Sequence, residues 1–200
     1  MDVPAEGEAL NKNEEENYTS LKDLIKNLRL RIFPLSIFAL IIALLLGLFT
    51  PIDRDQARYL VEKVYETYIS ELNAREKFSE KVFFIFMHNS QVSIMMLLPV
   101  MGFAFTLFSM YWSGVTMHAF IIVQPNISRI SMIIQLFSVP STWLELIAYS
   151  IAFTESLYST IMLAKKKNYT IVNLILTLLI VESMLLFSAC IETLYIMKKV

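Results

Sequence analysis

Cysteine and glycine are scarce in this sequence. Cys190 is the single cysteine, which excludes an internal disulfide framework, and the chain has only 4 glycines. No glycine-rich phosphate loop, Ser-His-Asp arrangement or paired-cysteine cluster can be recognised along it. Because the sequence offers no established catalytic motif, we expect a non-enzymatic protein.

An excess of charge of one sign is also lacking. The 17 Lys and Arg residues nearly balance the 18 Asp and Glu residues, and the formal net charge is -1. The basic patch of a nucleic-acid-binding protein is therefore not indicated. A cleavable signal peptide is not indicated either, because the polar stretch 1–31 precedes the first apolar run and "TPIDRD" follows it. We expect that run to be retained as a membrane anchor.

Apolar sequence is abundant: 56% of the residues are hydrophobic, and the mean hydropathy is +0.57. Several apolar runs approach the roughly 20 residues that a spanning helix needs. The pattern predicts an all-α fold, a polytopic membrane helix bundle with five transmembrane helices and one long amphipathic extramembrane helix after the first. The predicted spans are about 32–52, 82–98, 102–123, 140–164 and 170–197. The second and third are separated at "LPVMG", where Pro99 and Gly102 break the helix.

The segments outside the spans differ in composition. An acidic, apolar-poor start predicts a disordered tail, and apolar residues at helical spacing among lysines and arginines predict a basic amphipathic surface helix or a solvated lead-in to the first span. Dense mixed charge with an apolar stripe at i, i+3, i+4 and i+7 predicts the extramembrane helix. A breaker pair followed by apolar residues predicts an interfacial helix. The disordered tail is 1–19, the basic surface helix 20–31, the extramembrane helix 53–81 and the interfacial helix 126–139.

Basic residues give an orientation. Lys22, Lys26, Arg29, Arg31 and the lysines at 165–167 fall on one side of a five-span protein. The positive-inside rule places that side in the cytoplasm. We therefore expect a multi-pass protein of the cell membrane whose N-terminus is cytoplasmic and whose helix 53–81 and C-terminus are external.

Four glutamates lie within the last two predicted spans, and a carboxylate at that depth needs a partner, a proton or a function. At 1.5 Å per residue, Glu145 and Glu192 lie about 8 to 9 Å from the outer ends of their antiparallel helices. Glu155 and Glu182 lie more than about 20 Å from those ends. The carboxylates are thus predicted to form an outer pair and an inner pair.

The second and third spans add polar residues at the outer level. By the same count, His88, Asn89 and His118 share the depth of Glu145 and Glu192. Three interpretations remain open for this intramembrane polar cluster. Its members can hydrogen-bond across helices and specify packing, the glutamates can line a proton or ion path, or His88, His118, Glu145 and Glu192 can bind a divalent metal. No cofactor is required by the first two interpretations.

Two stretches of the chain resemble the stage II sporulation protein M family of integral membrane proteins. "FFIFMHNSQVSIMMLLPVMG" is similar to the family's second span, and "VPSTWLELIAYSIA" is similar to its fourth-span signature. The matching residues are Asn89, Gly102, Pro140, Glu145, Ala148 and Ala152. The resemblance implies a five-span protein that works within a membrane complex.

These observations lead to a functional expectation and two alternatives. We expect a structural or assembly subunit, either a homo-oligomer or part of a membrane-protein complex, with membrane lipids around it and no nucleic-acid partner. The first alternative is a transporter or permease subunit whose path is lined by the glutamates. The second is an intramembrane metal-dependent hydrolase.

Overall fold

The computed structural model describes residues 28–124, 126–166 and 171–198, and within these ranges the chain is helical with no β-strand. The predicted tail 1–19 and most of the predicted surface helix 20–31 lie outside the described residues. The helices are α1, Leu28–Leu48; α2, Arg54–Val64, followed by a π-helical turn, Tyr65–Ile69; α3, Ser70–Asn73; α4, Phe78–Leu97; α5, Gly102–Val123; α6, Arg129–Ser138; α7, Pro140–Ala164; and α8, Ile171–Lys198.

Four described helices, α1, α5, α7 and α8, are long and apolar enough to cross a membrane. This confirms, in outline, the predicted all-helical, multi-pass membrane protein. The predicted fourth span, 140–164, coincides with α7, and the predicted fifth ends one residue before α8 does.

The predicted second span lies in α4, which does not reach the apolarity of the other four. Glu80 and Lys81 occupy its first turns, and the polar run "HNSQ" follows at 88–91. Among the described helices, the number of spans is therefore four by length and composition, with α4 as a less apolar helix packed among them.

The helix predicted to be extramembrane is shorter than expected. It begins where Asp53 and Gln56 form a capping box, in which the Asp53 carboxylate accepts from the Gln56 amide at 2.7 Å. It ends at Asn73, not at residue 81. Lys81 lies in α4, where it is buried and its ammonium donates to the carbonyl of Leu72 at 2.8 Å. A lysine that satisfies a terminal helix carbonyl stabilises that end. Lys81 thus belongs to α4, and the predicted boundary was wrong.

Two glycines allow α1 and α5 to cross at backbone contact. A Cβ atom at Gly47 would lie 1.9 Å from the Tyr111 carbonyl oxygen, and one at Gly114 would lie 2.1 Å from the Leu44 carbonyl oxygen. Small residues at helix crossings are the usual means of close packing in membranes. α7 lies at the centre of the bundle. In an 18-residue apolar stretch of α7, 61% of the residues are buried, whereas in the corresponding stretch of α8 only 22% are.

The predicted breaker "LPVMG" forms the connection between α4 and α5. Val100 has a φ of 71°, in the left-handed region that costs a β-branched residue about 1 to 3 kcal/mol. Two hydroxyls of α7 hold the turn: Ser156 donates to the Leu98 carbonyl and the Val100 amide donates to Thr160, both at 2.7 Å. Packing against α7 therefore offsets the strain at Val100.

Candidate functional site

Glu155 has a cationic partner. Its carboxylate lies 2.7 Å from the guanidinium of Arg29, and Glu155 is only 3% exposed. The guanidinium also lies over the Tyr158 ring, 4.2 Å from its centroid, so the ion pair is completed by a cation–π contact. Arg29 belongs to α1, although it was predicted to lie in the surface helix 20–31. This ion pair ties the first helix to the central α7.

Glu182 has a different kind of partner. Ser93 on α4 donates its hydroxyl to Glu182 Oε1 at 2.6 Å. Glu182 Oε2 is buried, and no described residue donates to it. The predicted inner pair is thus divided, since Glu155 is bonded to a cation on α1 and Glu182 to a hydroxyl on α4.

Glu145 joins three helices. Its Oε1 accepts from Ser188 on α8 at 2.9 Å and from the Asn89 amide on α4 at 3.3 Å. The Ser188 hydroxyl also lies 3.1 Å from the Ser141 carbonyl oxygen, but it has one proton and can donate to only one acceptor at a time. The expected proximity of Asn89 and Glu145 is found in the structure.

His118 lies apart from this group. Its Nδ1 is 2.7 Å from the Thr50 carbonyl oxygen and its Nε2 is 3.0 Å from the Arg129 guanidinium. Arginine can only donate, so Nε2 accepts and the proton is on Nδ1, which donates to Thr50. His118 therefore joins the end of α1 to α5 and α6, and its hydrogen-bond partners are not the other residues of the predicted cluster.

His88 contacts the π-helical turn that follows α2. The Tyr68 ring lies edge-on to the imidazole, with centroids 4.9 Å apart, and also packs on Phe84 at 5.2 Å. Tyr68 lies in the π-helical turn, a feature that is frequent at functional sites. Burial raises the pKa of the Tyr68 phenol, and the nearby carboxylates of Glu192 and Glu145 raise it further.

A cavity of about 450 Å³ opens beside Glu145, and we call it the Glu145 cavity. Helices α1, α4, α5, α6 and α7 all contribute to its wall. The described wall contains one carboxylate, Glu145, one imidazole, His88, and no Lys or Arg. Most of it is apolar, with aromatic and methionine side chains that include Met96, Phe105, Met110, Trp112, Phe137 and Tyr149.

The four candidate metal ligands, His88, His118, Glu145 and Glu192, do not form one group among the described residues. Within 28–124, 126–166 and 171–198, no group of three or more His, Cys, Asp or Glu side chains is arranged to hold a metal ion. Both ring nitrogens of His118 are engaged by Thr50 and Arg129. His88 and Glu145 share the wall of the cavity without a hydrogen bond between them in the described structure.

Several functional contacts could not be anticipated from the sequence. Serines at 93 and 188 bond the glutamates, yet serine is common in membrane helices and carries no positional signal. Arg29 and Arg31 both precede the first predicted span, and nothing in the sequence distinguishes the one that meets an inner carboxylate. Tyr68 belongs by its spacing to the apolar stripe of the segment 53–81, a pattern that predicts packing and does not indicate a site.

Comparison with known proteins adds no relative. No family model matches the chain, and no curated protein or solved structure matches it. The resemblance to the stage II sporulation protein M family therefore rests on the two quoted stretches alone and stays a prediction.

Proposed function

We propose that the chain is a non-enzymatic integral membrane protein of the stage II sporulation protein M type, acting as a structural or assembly subunit of a membrane complex. The observation that carries this proposal is the use of the intramembrane glutamates. Glu155, Glu182 and Glu145 each bond to a side chain on another helix, namely to α1, to α4, and to both α4 and α8. Such contacts specify which helices pack together.

The energetics favour a packing role. Hydrogen bonds between membrane helices contribute about 0.6 kcal/mol on average and up to about 1.7 kcal/mol. Removing one partner of a buried ion pair costs more, roughly 3 to 5 kcal/mol, because the other charge is left uncompensated. Glu155 with Arg29 is therefore the strongest of these ties, and it holds the first helix against α7.

The surface that would meet a partner is the exposed side of the segment 54–73. The apolar stripe of this segment is used within the chain, since Ala57 of α2 and Leu72 of α3 are buried. Tyr59 of α2 and Tyr65 of the π-helical turn are 61% and 56% exposed. Exposed tyrosines outside the apolar helices are typical of protein interfaces, where Tyr is enriched.

We also infer that α4 is a fifth span. Its polar residues support this, because Asn89 and Ser93 face neighbouring helices and bond there to glutamates. A polar residue that is satisfied within a bundle is compatible with a membrane helix. With five spans, the N-terminus and the 165–167 loop are cytoplasmic, and α2 and the C-terminus are external.

Single cysteines in a Cys190→Ser background test this topology. Cysteines at Glu62, Lys166 and Met197 are labelled in intact cells with a membrane-impermeant maleimide. Five spans predict labelling at positions 62 and 197 and protection at 166 until the cells are lysed. Labelling of positions 62 and 166 on the same side would exclude the arrangement.

The assembly role is tested by the oligomeric state. The protein is extracted in mild detergent and its mass is measured by light scattering, for the wild type and for a Tyr59→Ser, Tyr65→Ser variant. The proposal predicts a defined assembly, of this chain alone or with a co-purifying protein, that the variant dissociates without loss of helix content. Glu62→Gln, on the same helix, is the matched control. A wild-type protein that is a single chain without partners would refute the proposal.

A permease subunit is the second candidate, and one observation favours it. The Glu145 cavity opens within the bundle and has a carboxylate in its wall. If the glutamates form a path, Glu155→Gln or Glu182→Gln would stop flux in proteoliposomes while assembly survives.

A further inference from the structure

We propose that the Glu145 cavity is a binding site for an amphipathic organic cation, a molecule with an apolar body and a single ammonium or related positive group. The site goes beyond the assembly role and does not depend on it. Size, wall chemistry and charge each point to this class of ligand.

The cavity has the size and wall of a small-molecule site. Its volume of about 450 Å³ falls in the range of roughly 300 to 1,000 Å³ that such sites occupy. The wall is mostly apolar, and Met96 and Met110 add flexible side chains that adapt to an irregular ligand. An apolar body therefore fits the greater part of the cavity.

The charge of the wall selects a cation. Glu145 is its carboxylate, and the described wall contains no Lys or Arg. Asn89 and Ser188 both donate to Oε1, and no described residue donates to Oε2. One acceptor oxygen thus remains for a ligand. An anion would be repelled, and a neutral lipid would leave a carboxylate without a counter-charge, which is costly in an apolar site.

The aromatic side chains of the wall favour the same ligand. Trp112 and Phe105 line the cavity with Tyr149, and the faces of such rings attract cations, most strongly in tryptophan. Trp112 also stacks on Phe108, with centroids 6.1 Å apart. These two side chains are 46% and 59% exposed, so the rim of the cavity reaches the surface of an apolar helix. A ligand that partitions into the bilayer can enter there.

His88 does not supply the missing counter-charge in this structure. Its ring packs edge-on to Tyr68, and no hydrogen bond joins it to Glu145 among the described residues. The cation is therefore expected to come from outside the chain.

Binding of tetraphenylphosphonium to the detergent-purified protein tests the proposal. Equilibrium dialysis with the radiolabelled cation should show saturable binding at one site per chain. Dodecylammonium should compete, whereas dodecanol, which has the same chain and no charge, should not. Glu145→Gln should weaken binding by at least about tenfold, since removing one partner of a buried charge pair is costly.

Two further variants separate loss of binding from loss of fold. Glu62→Gln makes the same chemical change at an exposed position of α2 outside the cavity and should leave binding unchanged. Ser109→Phe adds a ring inside the cavity without touching Glu145 and should abolish binding. The amide oxygen in the Glu145→Gln variant can still accept from Asn89 and Ser188, so this variant is expected to fold, as checked by thermal unfolding. Equal competition by dodecanol, equal affinity in Glu145→Gln, or no saturable binding would each overturn the proposal.

Discussion

The ion pair between Arg29 and Glu155 makes an asymmetric prediction about stability. Glu155 is 3% exposed, whereas 30% of the Arg29 side chain is accessible. An unpaired Arg29 can therefore turn its charge toward solvent or lipid headgroups, as long basic side chains do near membrane interfaces. Glu155 cannot. Removal of the cation should consequently cost more than neutralisation of the carboxylate.

The expected magnitudes follow from that difference. Arg29→Met leaves a buried carboxylate without its cation, and we expect a loss of about 3 kcal/mol, at the lower end of the range for broken buried pairs. Glu155→Gln keeps an acceptor for the guanidinium, and we expect a loss of about 1 kcal/mol, the usual value of one hydrogen bond. The double variant Arg29→Met, Glu155→Leu removes both charges together. Because an apolar pair often replaces a buried ion pair without penalty, it should be more stable than Arg29→Met alone.

Unfolding in mixed detergent micelles measures these free energies. Lys63→Met serves as the control, because the side-chain contacts of Lys63, an ion pair with Glu66 and a cation–π contact with Tyr59, are exposed. An exposed ion pair contributes about 0 to 1 kcal/mol. Equal losses in Arg29→Met and Glu155→Gln would refute the reasoning. So would a double variant that is no more stable than Arg29→Met alone.

Three further substitutions test the fold. Gly114→Leu should prevent the crossing of α1 and α5, because the added Cβ would collide with the Leu44 carbonyl. The resistance of the membrane-embedded protein to protease should fall sharply. A variant that stays resistant would contradict the crossing. Val100→Gly should raise the free energy of unfolding by about 1 kcal/mol, since glycine adopts a φ of 71° without strain; a decrease would show that the valine side chain contributes more than its backbone strain costs. Asp53→Ala should lower the free energy of unfolding by about 1 kcal/mol through loss of the helix cap, as measured by thermal unfolding. Asp55→Ala is the control, because Asp55 lies outside the capping box.

The depth of a residue along its helix could be predicted from the sequence. The direction in which its side chain points around the helix axis could not. The start of α7 at Pro140 and the turn at Pro99 follow from local backbone chemistry, and the structure has both. Depth along a helix follows from 1.5 Å per residue, which is why Asn89 and Glu145 were expected to lie together. His118 has a similar depth but faces α1 and α6, because depth does not fix the direction in which a helix is rotated.

Contacts between residues that are far apart in the sequence could not be predicted either. Arg29 and Glu155 are 126 positions apart, and either could have been satisfied by several other residues at the same membrane level. The pairing is decided by which helices neighbour α7, a property of the whole bundle. The contact of Lys81 with the Leu72 carbonyl likewise depends on the fold, since Lys81 reaches that carbonyl only after the chain turns into α4.

The most direct test of the packing role of the glutamates combines flux and assembly in one preparation. Wild type, Glu155→Gln and Glu182→Gln are reconstituted into liposomes, and proton and Na⁺ flux are recorded beside the assembled fraction. The account predicts no flux above that of empty liposomes in any sample, with assembly or stability reduced in the variants. Flux in the wild type that either substitution abolishes, while assembly is unchanged, would contradict the account and make this protein a transporter.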